Sequence, residues 1–221
     1  MESKILTAER AAEFISDGMT VGLGAGSTID YIIKKLGEKV RKGFNIKVIP
    51  SSKKVANLCK KEGIQITGIS SQKKIDLTIH ETDKIDKKYN FIKDGGSLLR
   101  EKIIAFASDT LIVIANESDF KNNLNCYTLP IEIIPFSWKY TKNLVENLGC
   151  SSNLRKISGK VFITDNNNYI LDCNFGQLRN YIELTKNLNV IPGVLENGLF
   201  INLTDLIVVK NKKGRIIEIA K

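Results

Sequence analysis

The hydrophobic positions of the first 120 residues alternate between helical and strand periodicity. Apolar residues three and four apart predict amphipathic helices, and short apolar runs between them predict strands. The predicted order is helix 4–17, strand 19–24, helix 29–40, strand 46–50, a helix through residue 58, strand 64–66, strand 75–79 and strand 111–115. The last run is almost continuous, as expected of a central parallel strand. This alternation indicates an α/β domain whose mostly parallel sheet carries helices on both faces.

The pattern changes after residue 126. It predicts strand 130–135, a helix through 148, two strands around an Asn-rich turn within 161–171, helix 178–188 and strand 192–195. That order is typical of an α+β module of the split-βαβ type. A terminal hairpin of residues 203–209 and 215–219 should rejoin the first sheet. The predicted domains are therefore 1–126 with 199–221, and 127–198.

The composition limits the classes of protein to which the chain can belong. It has 221 residues, 43% of them hydrophobic, and no apolar run reaches the ~20 residues that cross a bilayer. Its first four residues lack the apolar core of a signal peptide, so we expect a cytoplasmic protein without membrane contacts. The four cysteines stand far apart and only one histidine is present. We therefore expect reduced thiols and no metal site.

The net charge of +9 favours an anionic partner. The lysines are scattered over the predicted helices, without a basic block or an aromatic-interleaved stripe. That distribution favours a small phosphorylated metabolite over nucleic acid.

A glycine-rich turn between the first strand and the second helix is the first candidate site. Ala25, Gly26, Ser27 and Thr28 would offer backbone amides and hydroxyls to an oxyanion at a helix start. The turn lacks the Gly-Lys-Ser/Thr ending of a Walker loop, and its glycines have the wrong spacing for a dinucleotide fingerprint. The alternative is a tight turn that binds no ligand.

The second candidate is the stretch 91–104. It places Lys93 ahead of the Asp94-Gly95-Gly96 break and Glu101 on the helix that follows. A cation and a carboxylate could then meet at one pocket, together with a polar loop predicted over 80–86. The alternative is a strand, a turn and an amphipathic helix with solvated charges.

Six motifs in order resemble ribose-5-phosphate isomerase A over essentially the whole chain. They are Leu23-Gly24-Ala25-Gly26-Ser27-Thr28, Thr82-Asp83-Lys84-Ile85-Asp86, Ile92 to Lys102, Leu129 to Pro135, Ile163-Thr164-Asp165-Asn166 and Ile191-Pro192-Gly193-Val194. The resemblance implies a Rossmann-like domain with an inserted ferredoxin-like domain, a homodimer or dimer of dimers, and no metal or other cofactor. It also implies interconversion of ribose 5-phosphate and ribulose 5-phosphate through a cis-enediolate.

The resemblance assigns roles to individual residues. It implies that Glu101 moves the proton, with Lys93 and Asp83 as further catalytic residues. His80, which stands where the family has an acid, is added as a candidate catalytic residue. The residues expected to bind the substrate and its phosphate are Lys4, Ala25, Gly26, Ser27, Thr28, Asp94, Gly95 and Gly96 by resemblance, with Lys121 added as a candidate cation close to Asp119.

The chain departs from the family pattern in four ways, one of which is a Gly-rich segment one residue shorter than usual. His80 and Glu81 stand where the family has Asp-Gly, Ala25 replaces a threonine, and Asp119 replaces a phosphate-facing lysine. Two hypotheses follow. The chain is an isomerase in which His80 works in ring opening and Lys121 replaces the missing cation, or it is a divergent paralogue that acts on or senses another phosphosugar.

Overall fold

A computed structural model describes residues 2–72, 74–82, 84–121, 124, 128–176, 180–211 and 213–221. The chain forms two compact units. The first comprises Met1–Asp83, Arg100–Phe120 and Asn202–Lys221, and the second comprises Lys84–Leu99 and Lys121–Ile201. Residues 84–99 thus cluster with the second unit, whereas the sequence analysis groups them with residues 1–126.

Helices and strands follow one another along the chain in a mixed order. They are α1 (Glu2–Glu13), β1 (Thr20–Leu23), α2 (Ser27–Val40), β2 (Lys47–Pro50), α3 (Lys53–Lys61), β3 (Gln65–Ile66), β4 (Leu77–Glu81), β5 (Ile85–Asp86), β6 (Phe91–Ile92), α4 (Leu98–Phe106), β7 (Leu111–Asn116), β8 (Phe120–Lys121), β9 (Thr128–Ile133), α5 (Trp138–Glu146), β10 (Ser151–Leu154), β11 (Lys156–Ile157), β12 (Lys160–Val161), β13 (Tyr169–Asn174), α6 (Tyr181–Asn189), β14 (Val194–Asn197), β15 (Leu199–Phe200), β16 (Leu206–Lys210) and β17 (Ile216–Ala220). Two short 3₁₀ helices cover Ile69–Ser71 and Glu117–Asp119.

The first unit is built on a seven-stranded sheet of order β17-β16-β7-β4-β1-β2-β3. Its strands are parallel except for β17, which pairs antiparallel with β16 at one edge. The terminal hairpin therefore rejoins the first sheet, and β7 lies inside it, as predicted. The mostly parallel α/β fold class is confirmed.

The core of the first unit confirms the predicted helix face. Ile29, Ile32, Ile33 and Leu36 of α2 have no exposed surface and pack with α1 and the sheet strands. Helix α4 contributes Ile104 to a separate small cluster with Ile49 and Ile75. None of the described helices is both long and apolar enough to cross a membrane.

The second unit contains a four-stranded antiparallel sheet of order β10-β13-β9-β14. In chain order the module reads β9-α5-β10-β13-α6-β14, which is the predicted split-βαβ arrangement. Leu129, Ile131 and Ile133 of β9 are fully buried in its core with residues of both helices. The predicted ferredoxin-like module is thus present.

Two local predictions were wrong. The strand before the Asn-rich turn does not pair with the strand after it, because β12 pairs with β11 while β13 pairs with β9 and β10. His80 and Glu81, predicted in a loop, are the last two residues of β4. Their backbones stay in the sheet because β7 extends beside them, with Val113 and Ile114 as register partners.

Candidate active site

The glycine-rich turn follows β1 at the carboxyl edge of the first sheet. The Gly24 amide donates a 3.0 Å hydrogen bond to the Ile79 carbonyl, which ties the turn to the neighbouring β4. Helix α2 then begins at Ser27, with the Ser27 side chain exposed and Thr28 almost fully buried. The turn after β1 and the end of β4 therefore share one edge, where parallel sheets collect their ligands.

Glu101 lies against this turn from α4. Its side chain has no exposed surface, and its Oε1 atom accepts a 2.9 Å hydrogen bond from the Ala25 amide. A Cβ atom placed at Gly24 would be 2.9 Å from that same oxygen, so only glycine leaves room for the carboxylate. The Glu101 carboxylate is thus fixed within the glycine-rich turn.

The His80 side chain, from the end of β4, also lies beside Gly24. Its Cδ2 atom would be 2.7 Å from a Cβ at Gly24, and the ring is completely buried. His80 and Glu101 therefore meet the backbone of one residue, although about 20 positions separate them. Asp83, the other catalytic residue predicted in this segment, lies outside the described residues.

Glu81 reaches the beginning of α2. Its Oε2 atom accepts a 2.9 Å hydrogen bond from the Thr28 amide and would lie 2.2 Å from a Cβ at Gly26. The turn therefore holds two carboxylates, with Glu101 on the Ala25 amide and Glu81 on the Thr28 amide. The sequence analysis noted Glu81 only as a departure from the family pattern and missed this contact, because only the sheet register brings Glu81 beside the helix.

Lys93 belongs to the second unit, directly after β6. It is 7% exposed, and its amide donates a 2.9 Å hydrogen bond to the Gly198 carbonyl. A Cβ at Gly198 would be 2.5 Å from the Lys93 carbonyl oxygen, so a larger residue would displace this segment. The backbone position of Lys93 is consequently fixed by a residue from a distant part of the chain.

The Asp94-Gly95-Gly96 break is held by residues that the sequence analysis missed. Arg155 donates to the Asp94 carbonyl at 2.7 Å and to the Gly95 carbonyl at 3.3 Å, while its guanidinium also pairs with Asp172. The Phe162 ring fills the space where a Gly96 side chain would stand. No local pattern could identify Arg155, because it acts on the break from about 60 positions away.

Lys4 and Lys121 are the other cations predicted to bind the substrate's phosphate. Lys4 lies in α1 and Lys121 in β8.

Asp119, which stands where the family pattern has lysine, is 9% exposed and accepts a 2.9 Å hydrogen bond from the Asn116 side-chain amide. It caps the 3₁₀ helix Glu117–Asp119, so its carboxylate has a structural use.

Comparisons with known proteins identify the family. A family model described as ribose 5-phosphate isomerase A (phosphoriboisomerase A) matches residues 47–214. Ribose-5-phosphate isomerase A of Bacillus mycoides (strain KBAB4) is 44% identical over 216 residues, covering 97% of this chain and 98% of that protein. Its counterpart in Ruegeria sp. (strain TM1040) is 41% identical over 224 residues, covering 97% of this chain and 86% of that protein.

Solved structures agree with the sequence comparisons. A D-ribose-5-phosphate isomerase in complex with phospho-erythronic acid superimposes with a TM-score of 0.93 at 34% identity, covering 100% of this chain and 98% of that one. Ribose 5-phosphate isomerase from Plasmodium falciparum gives a TM-score of 0.93 at 32% identity, covering 99% and 97%.

Proposed function

We infer that the chain, which belongs to the ribose 5-phosphate isomerase A family, is an aldose-ketose isomerase that interconverts D-ribose 5-phosphate and D-ribulose 5-phosphate. The observation that carries this function within the molecule is the buried Glu101 carboxylate on the Ala25 amide. It places a carboxylate base beside the backbone donors of an anion-binding turn, which are the two groups that a phosphosugar isomerase needs.

The reaction moves one carbon-bound proton and shifts one carbonyl. Glu101 takes the proton from C2 of the open-chain aldose, and the electron pair forms the double bond of a cis-enediolate. The same carboxyl group returns the proton to C1, while the C2 hydroxyl proton is transferred to the C1 oxygen. The carbonyl then stands at C2 and the Glu101 carboxylate is regenerated, so no proton is gained or lost overall.

The enediolate oxygens gain negative charge, which a fixed cation stabilises more strongly in a partly dry site than in water. We assign this role to Lys93 because it is a cation, is only 7% exposed and has a backbone position fixed by a hydrogen bond to Gly198. The neighbouring Asp94, Gly95 and Gly96 would contact the sugar. The turn around Asp94 is held by Arg155, which would therefore act as a positioning residue.

The substrate phosphate is assigned to the beginning of α2. Gly26, Ser27 and Thr28 would supply amides and hydroxyls, because a helix start carries a partial positive charge, and Ala25, whose amide bonds Glu101, would line the site. Lys4 and Lys121 are the cations proposed to complete this site. His80 and Asp83 are proposed to act in ring opening, which precedes proton abstraction.

The alternative function is a paralogue that acts on or senses another phosphosugar. Identity of 44% to a ribose-5-phosphate isomerase A over 97% of this chain favours the isomerase. The test is a coupled assay with ribose 5-phosphate and a panel of other aldose phosphates, together with solvent deuterium incorporation at C2. Turnover and incorporation specific to ribose 5-phosphate are expected. Binding without incorporation would favour the sensor.

The assembly and location of the enzyme are part of the same proposal. We expect a homodimer or dimer of dimers, as the family resemblance implies, and Phe106, Phe136 and Val190, each about four-fifths exposed, are candidates for the contacts between copies. A cytoplasmic location suits a phosphorylated substrate and the free thiols of Cys59, Cys150 and Cys173. Light scattering coupled to size exclusion measures the assembly, and a monomer would contradict this part of the proposal.

A further inference from the structure

The carboxylate of Glu81, a residue of β4, lies at the first turn of α2. Its Oε2 atom is 2.9 Å from the Thr28 nitrogen, and Gly26 provides the space that this atom fills. Gly26 has a φ of +148°, a conformation that glycine adopts readily and other residues rarely do. An anionic oxygen of the chain itself therefore accepts from an amide that an oxyanion ligand would use.

A phosphate oxygen and the Glu81 carboxylate cannot share this position. Helix α2 is 14 residues long and concentrates its partial positive charge at this turn, which either anion would satisfy. Two anions at the same amide would repel each other, and the repulsion is stronger near the protein interior than in bulk water. Binding of one anion thus requires movement of the other.

We propose that Glu81 is an internal competitor for the substrate's phosphate, which displaces the carboxylate from the Thr28 amide on binding. Glu81 then determines how tightly this enzyme holds phosphosugars. This inference rests on the proposed function, since it assigns the substrate's phosphate to the beginning of α2.

The displacement leaves the backbone of β4 in place. The backbone after Glu81 remains in the sheet, because the Thr82 amide donates to the Ile114 carbonyl at 3.0 Å. The other carboxylate at the turn, that of Glu101, accepts from the Ala25 amide and not from the Thr28 amide. Glu81 can therefore leave the turn while β4 and the proposed base stay in place.

The test measures binding of inorganic phosphate by isothermal titration to the full-length wild type, Glu81→Ala and Glu81→Gln. Removal of the carboxylate in Glu81→Ala should lower the phosphate dissociation constant at least tenfold. Glu81→Gln should give a smaller decrease, because its amide oxygen can still accept from Thr28 while carrying no charge. The KM for ribose 5-phosphate should fall in the same order, with kcat changing less than threefold.

The matched control is Asp30→Asn, which removes a carboxylate from the same helical turn. Asp30 pairs with Lys54 at 2.7 Å, so its loss should change phosphate affinity less than twofold. Equal phosphate affinity in the wild type and both Glu81 variants would overturn the proposal. So would an effect of Asp30→Asn as large as that of Glu81→Gln.

Turnover of ribose 5-phosphate in the same samples separates this inference from the proposed function. Active enzymes with unchanged phosphate affinity would reject the role of Glu81 alone. If the Glu81 variants bind phosphate more tightly but neither they nor the wild type turn over ribose 5-phosphate, the proposed isomerase function is rejected and the role of Glu81 as a competitor is kept. Glu81→Gln retains nearly the native volume, so the test stands even if Glu81→Ala folds poorly.

Discussion

The Oε1 atom of Glu101 lies 2.9 Å from the backbone nitrogen of Ala25, although the two residues are 76 positions apart in the chain. The contact joins the helix that carries the proposed base to the turn that is proposed to bind phosphate. It forms because α4 packs on the sheet through Ile104, one turn after Glu101, while β1 delivers the glycine-rich turn to the same edge.

We expect Glu101→Gln to lower kcat by about 10²- to 10⁴-fold, the usual contribution of a positioned general base. The amide oxygen can still accept from Ala25, so the fold should survive, with a change in melting temperature under about 4 °C, equivalent to roughly 1 kcal/mol. A coupled assay and thermal unfolding on the same sample measure both quantities. Near-normal turnover would remove Glu101 from the mechanism.

Gly24→Ala should place a methyl group within 2.7 Å of His80 and 2.9 Å of Glu101. Both side chains must then move, and a displacement of about 1 Å in a catalytic group can cost on the order of 100-fold in rate. Gly68→Ala is the matched control, because nothing lies within 4 Å of the added atom and its φ is negative. Equal activity of the two variants would show that the close approach at Gly24 has no functional consequence.

Glu132 should stabilise the second unit through the Asn-rich turn. The buried Oε1 atom accepts from Thr164 Oγ1 at 3.0 Å and Asn168 Nδ2 at 2.8 Å. Glu132→Ala leaves these buried donors without their acceptor and should cost about 3 kcal/mol, whereas Glu132→Gln keeps an acceptor and should cost about 1 kcal/mol.

Fluorescence of the single tryptophan, Trp138, reports unfolding of the second unit during urea denaturation, because it packs in that core. Equal losses in Glu132→Ala and Glu132→Gln would show that the charge matters more than the hydrogen bonds.

Cys150 should be the most reactive of the three described thiols. A hydrogen bond from the Cys173 thiol lowers the pKa of Cys150, whereas burial raises the pKa of Cys59 to about 12, and the pKa of Cys173 is also raised. A lowered pKa means more thiolate near neutral pH, so iodoacetamide at pH ~7.5 should label Cys150 before Cys59 and Cys173.

Cys173→Ala removes the thiol donor and should slow Cys150 labelling, while Cys173→Ser keeps a hydroxyl donor and should slow it less. Mass spectrometry of tryptic peptides gives the rates, with Cys126→Ser in every sample to remove the fourth thiol. Equal rates in the alanine and serine variants would contradict this origin of the reactivity.

The hydrophobic pattern alone determined the order of the elements and the fold class. The continuous apolar run 111–115 marked an inner parallel strand, and the spacing of Ile29, Ile32, Ile33 and Leu36 marked the buried face of α2. These features are readable because burial imposes a local period, about two residues in a strand with one buried face and about 3.6 in a helix. The ordered motifs were specific enough to indicate the family, and by resemblance they suggested Glu101 as the base.

Only the tertiary structure decided how distant residues meet. Glu81 accepts from Thr28 because the parallel register sets the end of β4 beside the turn after β1, and Arg155 holds the Asp94 turn from about 60 positions away. His80 and Glu81 carry polar side chains typical of a loop, yet the backbone bonds of β7 keep them in a strand. Such contacts depend on register and packing between elements, which no local period in the chain encodes.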